Sequence, residues 1–273
     1  MKIIVTSEED LASQTIKQQL LIQYEFKENG IFEDNTIYSY KNKVNLITIK
    51  GKLIESDYLS DYFTPELFIY ASRHKAESQM PSLLTHSTGN WGSGNLFGGQ
   101  PRSVSYSSPE AVRIAYLELL YQKKVLNLSD FDVTMEVTHH GPSELKNPLV
   151  FIELGSSEEY WTHKEGALAV ARAIMKVVDN KLTFTNIIGF GGTHYCSNFN
   201  KILEKNEDIA IGHIIPKYVI DQVGSELILL AFEKSKAKFA VIDHKGTNSA
   251  QKQKIKEILE KKSIQLKRIK ELT

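Results

Sequence analysis

The sequence predicts an α/β fold: one mostly parallel or mixed central sheet with helices on both faces. Three observations predict it. From residue 131 onward, short apolar runs alternate with helix-length segments, the pattern of strand–crossover–strand units. The runs, such as "LVFIELG" and "IAIGHII", are apolar on both alternating positions, as strands covered on two sides require. Finally, 273 residues with 41% hydrophobic content suffice for a large core. No repeat and no shift of composition marks a linker. Residues 1–273 therefore read as a single α/β domain, with a Gly/Ser/Thr-rich loop at about 85–102.

The elements follow in order. "KIIVTS" reads as a buried strand, with Ser7 as a helix cap and an apolar pattern through Leu21. "NTIYSYKNKVNLITIKGK" reads as two strands and "PELFIYASRH" as another. From Thr85 the chain reads as a long loop, and long ordered loops often carry function. "SPEAVRIAYLELLYQKKV" is a helix with Ser108 as cap and Pro109 in its first turn. Then come strand "FDVTMEVTH", strand "LVFIELG", one long helix from Glu158 to Asp179, and strand "LTFTNIIGFGG". A short helix "NFNKILEKN", strand "IAIGHII", helix "KYVIDQVGSELILLAFEKS", strand "KFAVIDHKG" and a last helix complete the chain.

Composition removes several classes of function. Lys+Arg and Asp+Glu balance at 33 each, so bulk charge gives no nucleic-acid signal. One cysteine, Cys196, excludes an internal disulfide and a Cys-based zinc finger, and fits a reducing cytoplasm. The first residues turn acidic and do not resemble a signal peptide. No apolar run reaches about 18 residues, so no membrane span is expected. From Lys252 to Lys270, eight cations face only Glu257 and Glu260. Such a segment can follow a phosphate backbone, or simply be a solvated helix face.

The histidines carry the strongest signal. His139, His140, His194, His213 and His244 all stand at or near the carboxyl end of a predicted strand, as does Glu153. In open parallel sheets, ligands bind at that rim. A lone strand-end histidine is commonly structural; five at one rim point to a site. Strand alternation puts Glu136, Thr138 and His140 on one face and His139 on the other. One of the two adjacent histidines is therefore expected to face the site, unless Gly141-Pro142 has already ended the strand. His74 and His86 flank the glycine-rich loop and can lean over the site; His163 suits a capping role.

Histidines with carboxylates and no partner thiol suit zinc or another borderline metal, although no HExxH is present. Without a metal, a histidine can act as general base on water, oriented by Glu136 or Glu153. "GFGGTHYC" reads as a small-residue turn at a helix start. It matches neither a P-loop nor a dinucleotide fingerprint. Cys196 as a nucleophile is weighed against inert packing, and packing is favoured.

Six blocks, "SRHKAES", "LTHSTGNWG", "EVTHHGPSELKNPLVFIELGSSEEYW", "IIGFGGTHY", "GHIIPKY" and "DHKG", resemble in order the D-aminoacyl-tRNA deacylase of archaea and plants. The resemblance covers essentially the whole chain. It implies an enzyme that hydrolyses the ester between a D-amino acid and tRNA, with more than one zinc per subunit. It also implies a fold similar to peptidyl-tRNA hydrolase and nucleoside phosphorylases. The partner implied is D-aminoacyl-tRNA; the expected location is the cytoplasm, and monomer and homodimer both stay open. On strand-end geometry, the expected metal ligands are His139, His140, Glu153, His194, His213 and His244. The expected catalytic groups are His140, His194, Glu136 and Thr138. His86, Thr193, Gly191 and Gly192 are expected to contact substrate, the two glycine amides as oxyanion donors. Two other functions fit the fold class: a nucleoside hydrolase or phosphorylase, which predicts phosphate dependence, and a non-catalytic tRNA-binding module.

Overall fold

A computed structural model describes residues 1–273. The first half alternates β1 (Lys2–Ser7), α1 (Leu11–Gln23), β2 (Lys27–Phe32), β3 (Asn35–Tyr40), β4 (Val44–Ile49), β5 (Phe68–Lys75) and β6 (Ser82–His86). A small pair, β7 (Gly89–Asn90) and β8 (Ser103–Val104), brackets the glycine-rich loop. There follow α2 (Pro109–Val125), β9 (Asp132–Met135), β10 (Leu149–Ser156), α3 (Glu158–Trp161) and α4 (Lys164–Asp179). The rest is β11 (Thr185–Phe190), α5 (Ser197–Lys205), β12 (Ile209–Ile215), α6 (Ser225–Lys234), β13 (Phe239–Ile242), α7 (Ser249–Glu260) and β14 (Leu266–Arg268).

The strands form two principal sheets where the sequence suggested one. The larger, ordered β2-β3-β4-β1-β5-β10-β6-β9, is mixed: β4, β1, β5 and β10 are parallel, and β6 runs antiparallel to β10. The smaller, β12-β11-β13-β14, is wholly parallel. They are stitched together by the segment that leaves β9. Val137 N–H donates to the His194 carbonyl at 3.1 Å, Thr138 N–H to that of Ile214 at 3.0 Å, and Cys196 N–H to that of Met135 at 3.2 Å. Backbone pairing that continues past β9 thus ends in the second sheet.

Helix cover differs between the sheets. Ile4, Ile69, Val150 and Ile152 pack with Ala12 and Ile16 of α1, Val112 and Tyr116 of α2, and Val170 and Ile174 of α4. The opposite face of the large sheet carries Val5, Phe68, Tyr70, Leu149 and Phe151 against Leu53, Leu59 and Leu145 from non-α segments. In the small sheet, Ile187 and Val241 meet Phe199 and Ile202 of α5, whereas Ile188 and Ile242 meet α6 and α7. Helices lie on both faces there. This unequal cover matters, because the face of the large sheet without α-helices is free to hold polar groups.

Local differences from the sequence reading have physical causes. The cap of α1 is Asp10, which accepts from Ser13 N–H at 2.9 Å; Ser7 instead donates to the Gly51 carbonyl at 2.7 Å. The helix read as continuous from Glu158 breaks, and His163 caps α4 by accepting from Gly166 N–H at 3.0 Å. Helix is confined to α6 because residues 217–222 are turns before Gly224. β6 runs two residues into the stretch read as loop, through Thr85 and His86.

Candidate metal centre and active site

Strand alternation builds the floor. On β10, Val150, Ile152 and Leu154 face the helices, so Leu149, Phe151 and Glu153 face the other way. Register then brings the neighbours: Glu153 lies opposite Ser72 of β5 and Leu84 of β6, and Phe151 opposite His86. His74, two residues past Ser72, and His86 therefore share the face of Glu153. Beyond β9, Val137 is core, so Glu136 turns to the polar side.

The two adjacent histidines both face the site. Alternation would separate them, but His140 has φ +44°, a left-handed conformation in which histidine is several-fold enriched. Their rings lie 4.4 Å apart between centroids, and His139 is equally close to His86 and 4.6 Å from His194. His194 arrives from the other sheet, on the loop after β11, where Gly191 (φ +103°) and Gly192 (φ +81°) allow the turn.

The ring nitrogens are sorted by their hydrogen bonds. His86 Nδ1–H donates to the Ser87 carbonyl at 3.2 Å, His139 Nδ1–H to that of Val137 at 2.8 Å, and His140 Nδ1–H to that of Gly141 at 2.6 Å. Each bond fixes Nδ1 as a donor and turns Nε2 toward the cluster, the arrangement of a ligating imidazole. Those ligand atoms cluster. One group within mutual 4.8 Å reach is His86, His139 and His140; a second is Glu136, His139 and His194; a third is His74, Glu136 and Glu153. The groups overlap at His139 and Glu136, so the set can hold more than one cation.

Buried polar atoms without protein partners sharpen this. His86 Nε2 and both Glu136 carboxylate oxygens are fully enclosed and make no hydrogen bond. His194 Nε2 does lie 2.7 Å from Glu136 Oε1, but off the hydrogen-bond direction. A stranded carboxylate is costly. Converging lone pairs that face one another without bonding are what a cation between them would satisfy.

The electrostatics agree. Burial, reinforced by the surrounding imidazoles, holds His139 well below the usual histidine range and His140 at about 4. Both are neutral at pH 7, as metal ligation would require. Burial also acts on His74 and His86, but the Glu153 and Glu136 carboxylates outweigh it and raise them. Burial pushes Glu153 up, yet contacts to His74 and His86 at 3.4 and 3.6 Å hold it well below the carboxylate range.

The cluster opens into a cleft of about 690 Å³ lined by His74, His139, His140, Glu153 and His194, with Phe97, Trp91 and Tyr218 around them. The glycine-rich loop is docked as one wall. Trp91 Nε1–H donates to the Thr138 carbonyl at 2.9 Å, and Gly141 N–H to that of Phe97 at 2.9 Å. The close approach needs glycine: a Cβ on Gly141 would lie 2.2 Å from Gly99 N, and one on Gly98 (φ +73°) 1.9 Å from the Ile54 oxygen.

Comparison with known proteins decides the family. The D-aminoacyl-tRNA deacylase family model matches residues 62–267. A Pyrococcus furiosus D-aminoacyl-tRNA deacylase is 36% identical over 267 residues, covering 94% of this chain and 96% of its own. One from Methanosarcina acetivorans is 37% identical over 272 residues, covering 96% and 90%. The chain belongs to the D-aminoacyl-tRNA deacylase family. A crystal structure of a conserved protein of unknown function superposes with a TM-score of 0.91 at 32% identity, over 100% of this chain and 96% of the other.

Within this deacylase fold, several residues expected at the site stand elsewhere. His213 is fully buried, and both ring nitrogens are engaged: Nδ1 with Thr138 Oγ1 at 3.0 Å and Nε2 with the Ser105 carbonyl at 2.9 Å. It has no lone pair left for a metal. His244 is exposed in the turn after β13 and belongs to none of the ligand groups. Thr138 borders the cleft, but its hydroxyl is occupied by His213 and by Ile214 N–H at 3.1 Å. Gly191 N–H donates to the Ile215 carbonyl at 2.8 Å, so it is no oxyanion donor. Gly192 and Thr193 line a second, smaller pocket instead. Cys196 is buried, its thiol pushed well up by burial and donating to the Met135 carbonyl at 3.0 Å; it is packing. Conversely, His86 sits inside the ligand group, where substrate contact was expected, and His74 joins a group to which it was not assigned.

Proposed function

We propose that this D-aminoacyl-tRNA deacylase hydrolyses its ester at the histidine–carboxylate cluster, as a zinc-dependent enzyme. The observation that carries the reading is the set of enclosed, unpartnered ligand atoms: His86 Nε2 and the Glu136 oxygens, beside the tautomer-fixed His139 and His140. Imidazole and carboxylate donors without thiolate suit zinc. His86, His139 and His140 would form one ligand group, and Glu136 and His194, sharing His139, another. When bound, zinc supplies Lewis acidity at the ester carbonyl and brings the pKa of a water near neutrality.

The chain's own residues supply the rest. Carbonyl acceptors behind His86, His139 and His140 hold the rings in place, which preserves geometry through the reaction. Glu153 bridges His74 and His86 and favours a proton on each. Of these two, His74 borders the cleft, and its Nε2 is bonded to the Tyr195 hydroxyl at 3.0 Å. It is therefore the donor of the proton that the leaving ribose oxygen requires. The cleft around the cluster encloses the ester, and Trp91 and the glycine-rich loop keep one wall closed.

The test is His139→Ala, which removes the residue shared by two groups. Loss of bound zinc together with turnover, by about a hundredfold or more, at a melting temperature that still reports a folded protein, supports the reading. Retained zinc and near-parent turnover would overturn it.

A further inference from the structure

We infer that the carboxyl-end rim of the small sheet is the docking surface for the backbone phosphates of the tRNA acceptor end, an inference that rests on the substrate being a tRNA ester. Six of the eight cations in the basic C-terminal segment fall into two kinds. Lys254 donates to the Ile220 and Asp221 carbonyls at 2.8 and 2.9 Å, Lys256 pairs with Glu260 at 3.6 Å, and Lys267 lies over the Phe239 ring at 4.3 Å. These three serve the fold. Lys252, Arg268 and Lys270 are different: their side chains make no ion pair, and they come together around the turn after β13.

Topology causes that convergence. β13 and β14 are parallel, with Ile242 opposite Arg268, so the residues that follow each strand emerge on the same edge. His244 stands in the turn after Ile242, and Lys252 in the first turn of α7. Slight burial and then the charges of Lys252, Arg268 and Lys270 hold the His244 imidazole below its ordinary range, against the pull of Asp243. Parallel register and the start of α7 thus place Lys252, Arg268 and Lys270 at the same edge of the sheet.

The area continues to the active site. Lys217 and Lys245 line a pocket of about 300 Å³ with Thr193. Lys217 N–H donates to the Gly192 carbonyl at 3.1 Å, and Gln251 Nε2–H to the Lys217 carbonyl at 3.0 Å, which ties α7 to this edge. Tyr218, the next residue, borders the catalytic cleft, as does His194, which follows Thr193. The acids on the rim are occupied: Asp243 accepts from Asn198 and from Lys245 and Gly246 N–H, Asp221 from Gln251, and Glu271 from Arg268 N–H. On the other side of the cleft, Lys52 is paired with Glu55, Arg73 is stacked on Trp161, and Glu9 and Asp10 lie beside them. The rim is thus where free positive charge leads away from the ester, and a polyanion with its ester end at the cluster fits it.

The test compares two substrates of the full-length zinc-loaded protein: D-aminoacyl-tRNA, and D-aminoacyl-adenosine, which has the ester but no phosphate chain. The variant is Lys252→Glu/Arg268→Glu/Lys270→Glu; the control is Lys256→Glu, on the same helix but paired away from the rim. Melting temperatures accompany all rates. The triple variant should raise KM for the tRNA ester about tenfold or more near physiological salt. It should also flatten the salt dependence of log KM by about two, at about 0.7–0.9 per lost phosphate contact. Turnover of the adenosine ester should stay at the parent rate, and Lys256→Glu should change neither substrate. Parent-like KM and slope on tRNA would overturn the docking surface, and so would an equal loss on both substrates. If the parent protein itself leaves D-aminoacyl-tRNA intact, it is the substrate reading that fails, and the adenosine ester separates that from a dead preparation.

Discussion

At the residue scale, proton occupancy follows from what surrounds each imidazole. His140 is held at about 4 and His139 well below the histidine range by burial and neighbouring rings, so neither competes with metal for a proton at pH 6–8. His86 is raised because Glu153 and Glu136 outweigh its burial. A raised group keeps its proton until pH passes its folded pKa, so metal must displace that proton and affinity rises with pH through this range. Calorimetric titration of zinc into stripped protein near pH 7, in buffers of different ionisation enthalpy, should show net proton release. Glu153→Gln removes the carboxylate that holds His74 and His86. It should reduce that proton release and weaken zinc binding by about ten- to a hundredfold, as loss of an outer partner does. Unchanged affinity in this variant would show that Glu153 has no part in the centre.

At the element scale, the site depends on two chain segments held close by glycines. Gly141→Ala would put a methyl group 2.2 Å from Gly99 N, against backbone that cannot turn aside. Overpacking of that kind costs about 1–3 kcal/mol, and the glycine-rich loop must move off His140. A lower melting temperature together with a lower kcat is expected; Gly51→Ala, whose added methyl would meet nothing within 4 Å, should change neither. The same scale explains what was legible in the sequence. Strand ends pointed to His139, His140, His194 and Glu153, which the structure brings to one cleft, because alternation and register act locally. His74 ends "FIYASRH" in the same way, so its place in the cluster obeys the same strand-end rule. The joint presence of His139 and His140 was hidden in a backbone angle at His140. His213 has the right position in its strand, but its partners, Thr138 and Ser105, come from elsewhere in the chain; no local pattern reveals that both its nitrogens are used.

At the scale of the whole molecule, an α/β fold was legible from alternating elements, but the division into two sheets was not. It depends on the pairing of residues 136–138 with 194–196 and Ile214, which are distant in sequence. That seam is also where the candidate ligands meet: Glu153, His74 and His86 from the large sheet, His194 from the loop of the small one. If these groups hold the proposed zinc, donors from both sheets would couple the metal to folding, so zinc should raise the melting temperature and chelation should lower it. The central claim is tested most directly by deacylation of matched D- and L-aminoacyl-tRNA, using parent protein before chelation, after chelation, and after zinc is restored. The account predicts turnover of the D-ester over the L-ester, loss of that turnover on chelation, and its return with zinc. Full turnover of the D-ester by protein shown by elemental analysis to be metal-free would contradict it.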